Sequence, residues 1–503
     1  MHGHLPRPAT NLTIFDILLL VAATRIQRDL VDFPTIWTAH RGFHLSGAVT
    51  QRELLVEAVV VPTHLRSILI MTPRRPPPLA GPLILTALLL AARLWPAAAL
   101  HDPVSGTVPP ALYLKIPWTY LILAPLFSLW DGVSMLSMSR LIGFLTGLVL
   151  MYLAWRAIRA VRTRHTQQRE PIGRVLLREL GVLVLSLVLF LAFLVIGALW
   201  HRPMLSLAGT DFREMVVDFH SHTKASHDVK DTWMRGFDAE ANRRWHTRAG
   251  FDAAFITDHN VNSRQSHLAS RESQAASRSS TVLCPGTEVS AWKAHIVLLG
   301  DTLPVDRSRY RGLDGLLALL GASDSIYGAL SLASLPEYRR NHWERLDQLA
   351  SSGLDGFEIV NASPKANELT RPEIDSVISV ARTHNSFVAG VSDSHGWGAT
   401  SMVWNLVNSV PETSSDICSM ILRQLRTGFG AVRIIERHRL RPDSWWPTCL
   451  TPVGVVWETW RGMGWILTLA WLLWIWGWFA ARALRFALGE SNVSSSPQSS
   501  HTG

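Results

Sequence analysis

Apolar positions along the chain follow two rhythms. The first is a set of near-continuous blocks at 83–100, 111–130, 141–155 with a start near Met135, 180–200 and 464–484. Crossing a bilayer takes roughly 20 residues of helix, so these blocks predict membrane spans. Those at 180–200 and 464–484 carry no charge across their apolar cores and end in tryptophans suited to the headgroup boundary. The block at 83–100 contains Arg93 and Pro96, which leaves a span, a signal anchor and an interfacial helix open. The second rhythm covers residues 205–440. Short β-branched or aromatic runs, "MVVDF", "AAFIT", "TVLCP", "HIVLLG", "GALSLA", "GFEIV", "SFVAGV" and "AVRII", alternate with helical periods at 236–249, 313–320, 342–352, 372–384 and 415–427. That alternation predicts an α/β domain, a parallel sheet with covering helices. In such barrels chemistry sits at the C-terminal ends of the strands.

Composition changes the picture in one respect. The 503 residues are 48% hydrophobic and 17% charged, with 21 tryptophans and a formal charge of +9, which argues against one compact soluble domain. Seven arginines between 156 and 179 face two glutamates; a short loop this basic stays in the cytoplasm. The segment from 201 to about 450 is then expected outside the cytoplasmic membrane, with Arg482 and Arg485 back inside. Counting backwards, the first block would have to start outside, which clashes with Arg74 and Arg75.

The expected organisation is a leader over 1–78, a transmembrane helical region over 79–200 with a cytoplasmic loop at 156–179, an α/β domain over 203–447, a C-terminal transmembrane helix over 460–485 and a disordered tail over 486–503. The leader's one apolar run, "IFDILLLVAA", is too short to span and contains Asp16. "MTPRRPPPLAGPLILTALLL" reads as a natural start, so translation is expected to begin at Met71. Cys284, Cys418 and Cys449 have no metal-ligand spacing, at most one disulfide could form, and buried thiols are expected.

Polar groups follow the apolar runs. "MVVDF" precedes His220, His222, His227 and Asp228; "AAFIT" precedes Asp258 and His259; "TVLCP" precedes Glu288; "HIVLLG" opens with His295; "SFVAGV" precedes Asp393 and His395. Imidazoles and carboxylates without thiolate suit zinc, manganese or iron.

The stretches "DFHSHTKAS", "AGFDAAFITDHN", "GTEVS", "HIVLLG", "EIVN" and "GVSDSH", in that order, resemble the motifs of the PHP (polymerase and histidinol phosphatase) superfamily over residues 212–445. The resemblance implies a distorted (β/α)7 barrel, here inserted between transmembrane helices, with two or three divalent ions and phosphoester hydrolysis by a hydroxide held between metals. His220, His222, Glu288 and Asp393 would hold the first ion. Glu288 would bridge to a second ion with His295, and His259 and His395 would hold a third with His227 or Asp228, His227 being favoured. Two departures stand out. "SHD" replaces the family's "SDG", and Leu335 stands before Pro336 where the family has a metal-binding histidine; His342 is the one nearby substitute. Asp258 is expected either to orient the imidazole of His259 or to close its loop. Arg339 and Arg340 are expected either to clamp a phosphate or to lie on a solvated loop.

The expected function is a multi-pass inner-membrane enzyme, a metal-dependent phosphoesterase with Glu288, Asp258 and Arg339 in its catalytic machinery and its barrel outside the cytoplasm. The partners would be the lipid bilayer and a small phosphoester; no nucleic acid is expected, with an oligonucleotide left open. The alternative is a non-catalytic PHP domain that binds metal or ligand and signals or scaffolds at the membrane.

Overall fold

The computed structural model describes residues 79–163, 171–230, 236–261, 280–300, 302–408 and 417–494. The predicted leader 1–78, including the start at Met71, lies outside these residues. Chain contacts group Leu83–Ile475 into one compact unit.

Among the described residues, three helices are long and apolar enough to cross a membrane, with candidate spans Met138–Val161, Ile172–Phe193 and Trp465–Phe486. Two of the five predicted blocks fold differently. The block at 83–100 gives α1 (Ala80–Leu94), only 15 residues, or about 22 Å at roughly 1.5 Å per residue, against about 30 Å of hydrocarbon. Its end enters β1 (Leu100–His101). The block at 111–130 breaks into β2 (Tyr113–Lys115), α2 (Trp118–Ile122) and α3 (Ala124–Ser134). Prolines cap or open both helices, at Pro117 and at the first turn of α3, where the missing N–H prevents one continuous helix. Tyr120, Phe127 and Trp130 are buried. Asp131 accepts hydrogen bonds from Tyr120, Arg202, Thr400 and Arg437, so one face of this apolar block packs on protein while Trp118 and Ile122 stay exposed.

Two of the candidate spans lie on α4 (Met138–Thr163) and α5 (Ile172–Leu199). Further on come α6 (His227–Lys230), α7 (Ala239–Ala249), α8 (Gly312–Ser325), α9 (Leu335–Asn341), α10 (Leu346–Ser351), α11 (Arg371–Thr383), α12 (Ile417–Leu425), α13 (Thr451–Gly462) and α14 (Trp465–Ser494). Residues 486–494 of the predicted tail are thus helical, and 495–503 lie outside the described residues. The remaining strands are β3 (Ser206–Ala208), β4 (Glu214–Ser221), β5 (Ala253–Ile256), β6 (Val282–Ala291), β7 (Ala294–Leu299), β8 (Leu330–Ala333), β9 (Gly356–Asn361), β10 (Phe387–Val391), β11 (Val403–Asn408) and β12 (Val432–Arg437).

The fold is mixed α/β. Ten strands form one sheet in the order β1-β12-β11-β4-β5-β6-β7-β8-β9-β10, and β2 pairs with β3. The expected all-parallel pattern is interrupted. β4, β5 and β6 run parallel, as do β8, β9 and β10, but β6–β7, β7–β8, β4–β11, β11–β12 and β12–β1 are antiparallel. Between β6 and β7 the reason lies at Trp292 and Lys293. Both take positive φ, 36° and 63°, and Ala291 pairs with Ala294, so a two-residue hairpin replaces the crossover helix.

The sheet curls, and a side chain joins β10 to β11 and β4. Buried Asn405 accepts from the Gly390 N–H at 2.8 Å and donates to the Gly390 carbonyl at 2.6 Å and the Val217 carbonyl at 2.8 Å. A Cβ on Gly390 would come within 2.2 Å of Val403, so this approach requires glycine. The largest core fills the curl and its helical cover. In α11, Ile374, Val377, Ile378 and Ala381 are buried at helical spacing, and a Thr370–Glu373 capping box starts the helix. Cys284 on β6 is disulfide-bonded to Cys418 on α12, so two of the expected free thiols are paired; Cys449 is free and exposed.

Candidate metal centre

Strand β4 begins the site. A period of two places Asp218, His220 and the following His222 on one face. The Asp393 N–H donates to the His220 carbonyl at 2.9 Å and the His222 N–H to the Ser394 carbonyl at 3.0 Å. The end of β4 is thereby locked to the loop after β10. Asp393 adopts φ 44° there, a left-handed conformation that costs energy in a non-glycine residue. His220 Nε2 and His222 Nε2 lie 3.0 Å apart, and Asp393 Oδ1 lies 3.6 Å and 3.3 Å from them.

Glu288, on β6, is the centre of the cluster and is 2% exposed. Its Oε2 stands 3.2 Å from His220 Nε2, 3.4 Å from His222 Nε2 and 3.1 Å from His259 Nδ1, and its Oε1 stands 3.0 Å from His295 Nδ1. Asp228 Oδ2 reaches His395 Nε2 at 2.7 Å and His259 Nε2 at 3.1 Å. Three overlapping groups result: His220, His222 and Asp393; His259, Glu288 and His295; His222, Asp228, His259 and His395. Within each, the ligating atoms all lie within 4.8 Å of one another.

Electrostatics divides these groups by charge. Burial works against the proton on His395, yet the Asp228 and Asp393 carboxylates raise it to about 10. Burial is likewise outweighed at His295, which Glu288 and Glu337 raise to about 9. His222 goes the other way, to about 4, through burial and the neighbouring His395. At Glu288 burial favours the acid, but His220 and His259 hold it well below the usual carboxylate range.

The donor set fits divalent cations. His222 Nδ1 is buried without a hydrogen-bond partner, an expensive condition for a polar atom. Two imidazoles elsewhere in the cluster are already oriented: His220 Nδ1 meets Glu358 Oε1 at 2.7 Å and His395 Nδ1 meets the Asp393 carbonyl at 2.8 Å. Each leaves Nε2 toward the shared space, as neighbours of metal-binding histidines typically arrange.

The other predicted residues take different places. Of the pair at 227 and 228, Asp228 joins the cluster; His227 is exposed with its ring 5.0 Å from that of His259, because the first turn of α6 points its neighbour inward. Asp258 accepts from the Thr223 N–H at 2.6 Å and the Thr223 hydroxyl at 2.7 Å, so both its oxygens close the loop and neither orients His259. Burial raises its carboxyl to about 6. Arg339 turns its guanidinium to Glu373, at 3.1 and 2.9 Å, and Arg340 is exposed; no clamp is assembled. His342 packs on Trp292 and its Nε2 lies 3.2 Å from the Trp292 carbonyl.

Leu335 is fully buried in the core and its N–H donates to Glu358 Oε2 at 2.9 Å. Two carboxylates near this position were not singled out from sequence. Glu358 sits fully buried in β9, and Glu337 Oε2 lies 3.8 Å from His295 Nδ1. The sequence signal for Glu358 is an acid inside "GFEIVN", since a buried carboxylate needs partners. Glu337 carries no such signal.

No protein-family model and no curated protein matches the sequence. Among solved structures, the chain is similar to a candidate metal-dependent phosphoesterase from Bifidobacterium adolescentis, at 17% identity over 42% of this chain and 96% of that one, with a TM-score of 0.29. It is also similar to PsfC from Pseudomonas syringae, at 15% identity over 49% and 97%, TM-score 0.30. An amidohydrolase from Chromobacterium violaceum, solved with bound sulfate and no metal, aligns at 16% identity over 45% and 98%, TM-score 0.25. The functional reading therefore rests on the side chains themselves.

Proposed function

We propose that this chain is a membrane-anchored, metal-dependent phosphoesterase of the PHP type, with its site outside the cytoplasm. The observation that carries the reading is the convergence of His220, His222, Asp228, His259, Glu288, His295, Asp393 and His395 in one cluster from well-separated points in the chain. A solvated loop has no need to bury so many costly groups together. Zinc, manganese or iron suits these ligands, with Glu288 as the bridge.

Bound there, two or three divalent ions would supply Lewis-acid chemistry, acidifying water and neutralising phosphoryl oxygens. Glu288 stays anionic between His220 and His259 and can serve two cations. Glu358 fixes the ring of His220, and the Asp393 carbonyl fixes that of His395. Glu337 stands where a further carboxylate could assist His295.

Membrane anchoring is supported by the three apolar helices. With the blocks at 83–100 and 111–130 outside the spans, residues 95–137 lie on the barrel's side; the clash with Arg74 and Arg75 in the topology count is not removed by this. The Cys284–Cys418 bond supports an oxidising compartment for that side.

The test is to purify the full chain in detergent, measure bound metal by mass spectrometry, and assay p-nitrophenyl phosphate and its bis ester with manganese or zinc. Metal together with turnover that disappears in Glu288→Gln is expected. No metal above background would end the reading. Metal without turnover on either ester would favour the non-catalytic sensor or scaffold, a reading that Leu335 in the family's histidine position already supports.

A further inference from the structure

Away from the metal cluster, a cavity of about 540 Å3 opens between β1, α3, α13 and the start of α14. This is an ordinary volume for a small-molecule site. Leu100, Leu112, Ile116, Leu205, Val455 and Leu467 are among its walls. Trp465 and Ile466 also line it and are each 59% exposed at the first turn of the last candidate span. An exposed tryptophan at such a position marks the headgroup boundary, so the cavity stands at the level where lipid is within reach.

Its polar wall carries charge of both signs. Arg437, His438, Arg439 and Glu458 line it. Asp131 is shared by Arg202 and Arg437, and Glu436 by Arg439, Arg441 and His101. Glu458 is matched by Arg461 and His438, and Asp443 approaches Arg441 near the surface. Three buried arginines, Arg202, Arg437 and Arg439, stand with three buried carboxylates, Asp131, Glu436 and Glu458. Arg439 is 7% exposed and its Nη1 has no hydrogen-bond partner. An apolar hollow beside a buried guanidinium that pairs with Glu436 through Nε and leaves Nη1 without a partner is complementary to an amphiphile with one anionic group.

We propose that this cavity seats an acyl chain of one anionic membrane phospholipid, whose phosphate accepts from Arg439. The proposal rests on the membrane anchoring above and is independent of the hydrolytic chemistry. Gly464 lines the cavity, and a Cβ there meets nothing within 4 Å, so Gly464→Leu fills the space without displacing backbone.

The test uses the full chain, extracted from membranes in detergent, exchanged against micelles of phosphatidylglycerol or phosphatidylcholine, and weighed by native mass spectrometry. One phosphatidylglycerol per chain should survive washing, with about tenfold less retention in Gly464→Leu at unchanged thermal unfolding. Arg439→Gln should lower the preference for phosphatidylglycerol over phosphatidylcholine about tenfold, the scale of a hydrogen bond to a charged group. Equal retention of the two lipids by the wild type, or undiminished retention in folded Gly464→Leu, would overturn the assignment. A chain recovered from the soluble fraction would overturn the anchoring and the lipid site together. A membrane-bound chain that holds no phosphatidylglycerol would overturn the lipid site alone.

Discussion

The α4–α5 hairpin and the metal cluster are built on opposite principles. In the candidate span Ile172–Phe193 none of the apolar window is buried by protein, and Leu180, Val184, Leu185 and Val188 face outward. At the metal cluster the imidazoles and carboxylates are inside and the apolar residues surround them. One chain therefore presents an apolar surface in one region and buries polar groups in another, and its average composition describes neither. The block at 111–130 sharpens the lesson. It is apolar enough to resemble the hairpin, yet it packs on protein, because its prolines break the helix and its neighbour Asp131 pairs with Arg202 and Arg437.

The contrast is open to attack at several strengths. The largest effect is expected from Glu288→Ala. Losing the shared carboxylate removes several kcal/mol of metal-dependent charge stabilisation, or about 10³-fold in hydrolysis at 1.36 kcal/mol per decade. The membrane fraction of the protein should stay the same, and a variant with normal metal content would contradict the central place given to Glu288. Next, replacing Cys284 and Cys418 by serine should cost the α/β domain about 2–5 kcal/mol in urea unfolding while leaving the membrane fraction of the protein unchanged. Identical unfolding curves with and without reductant would show that the bond is not formed.

Glu358→Gln should weaken metal binding by about 10–100-fold, as loss of a partner that orients a ligand does, readable by metal-buffer titration. A pH series gives a smaller and opposite pair of responses. His295 and His395 are raised to about 9 and about 10 without metal, so their contribution to stability is complete below about pH 6.5 and is lost as pH climbs through those values. The metal-free protein should therefore lose thermal stability from pH 7 to 10. Metal must displace these protons, so added zinc should stabilise more as pH rises, with proton release seen in calorimetry. Smallest of all, Arg339→Ala should change turnover less than twofold and stability by no more than about 1 kcal/mol, the usual scale of a partly exposed ion pair. A large loss of turnover would restore Arg339 as a phosphate clamp.

Much of the site could be read along the chain because its ligands follow apolar strand runs, and strand ends are where a curled sheet collects polar groups. The choice between His227 and Asp228 could not be, since it depends on which face of one short helical turn looks inward. Nor could the destinations of Asp258 and Arg339, which were decided by Thr223 and Glu373, partners 35 and 34 residues away. The hairpin at Trp292–Lys293 was hidden for a different reason. Neither residue advertises a positive φ, so the sequence suggested a crossover and the backbone made a tight turn.

By itself, the order of residues determined which segments are apolar enough to prefer lipid and which polar types were available to hold a cation. Those properties belong to single side chains and short periods. Tertiary structure alone decided that β10 meets β11 and β4 through Asn405, that Glu358 stands behind His220, and that Cys284 finds Cys418. Each of these is a distance between remote positions, fixed only when the sheet curls and buried polar groups must find partners.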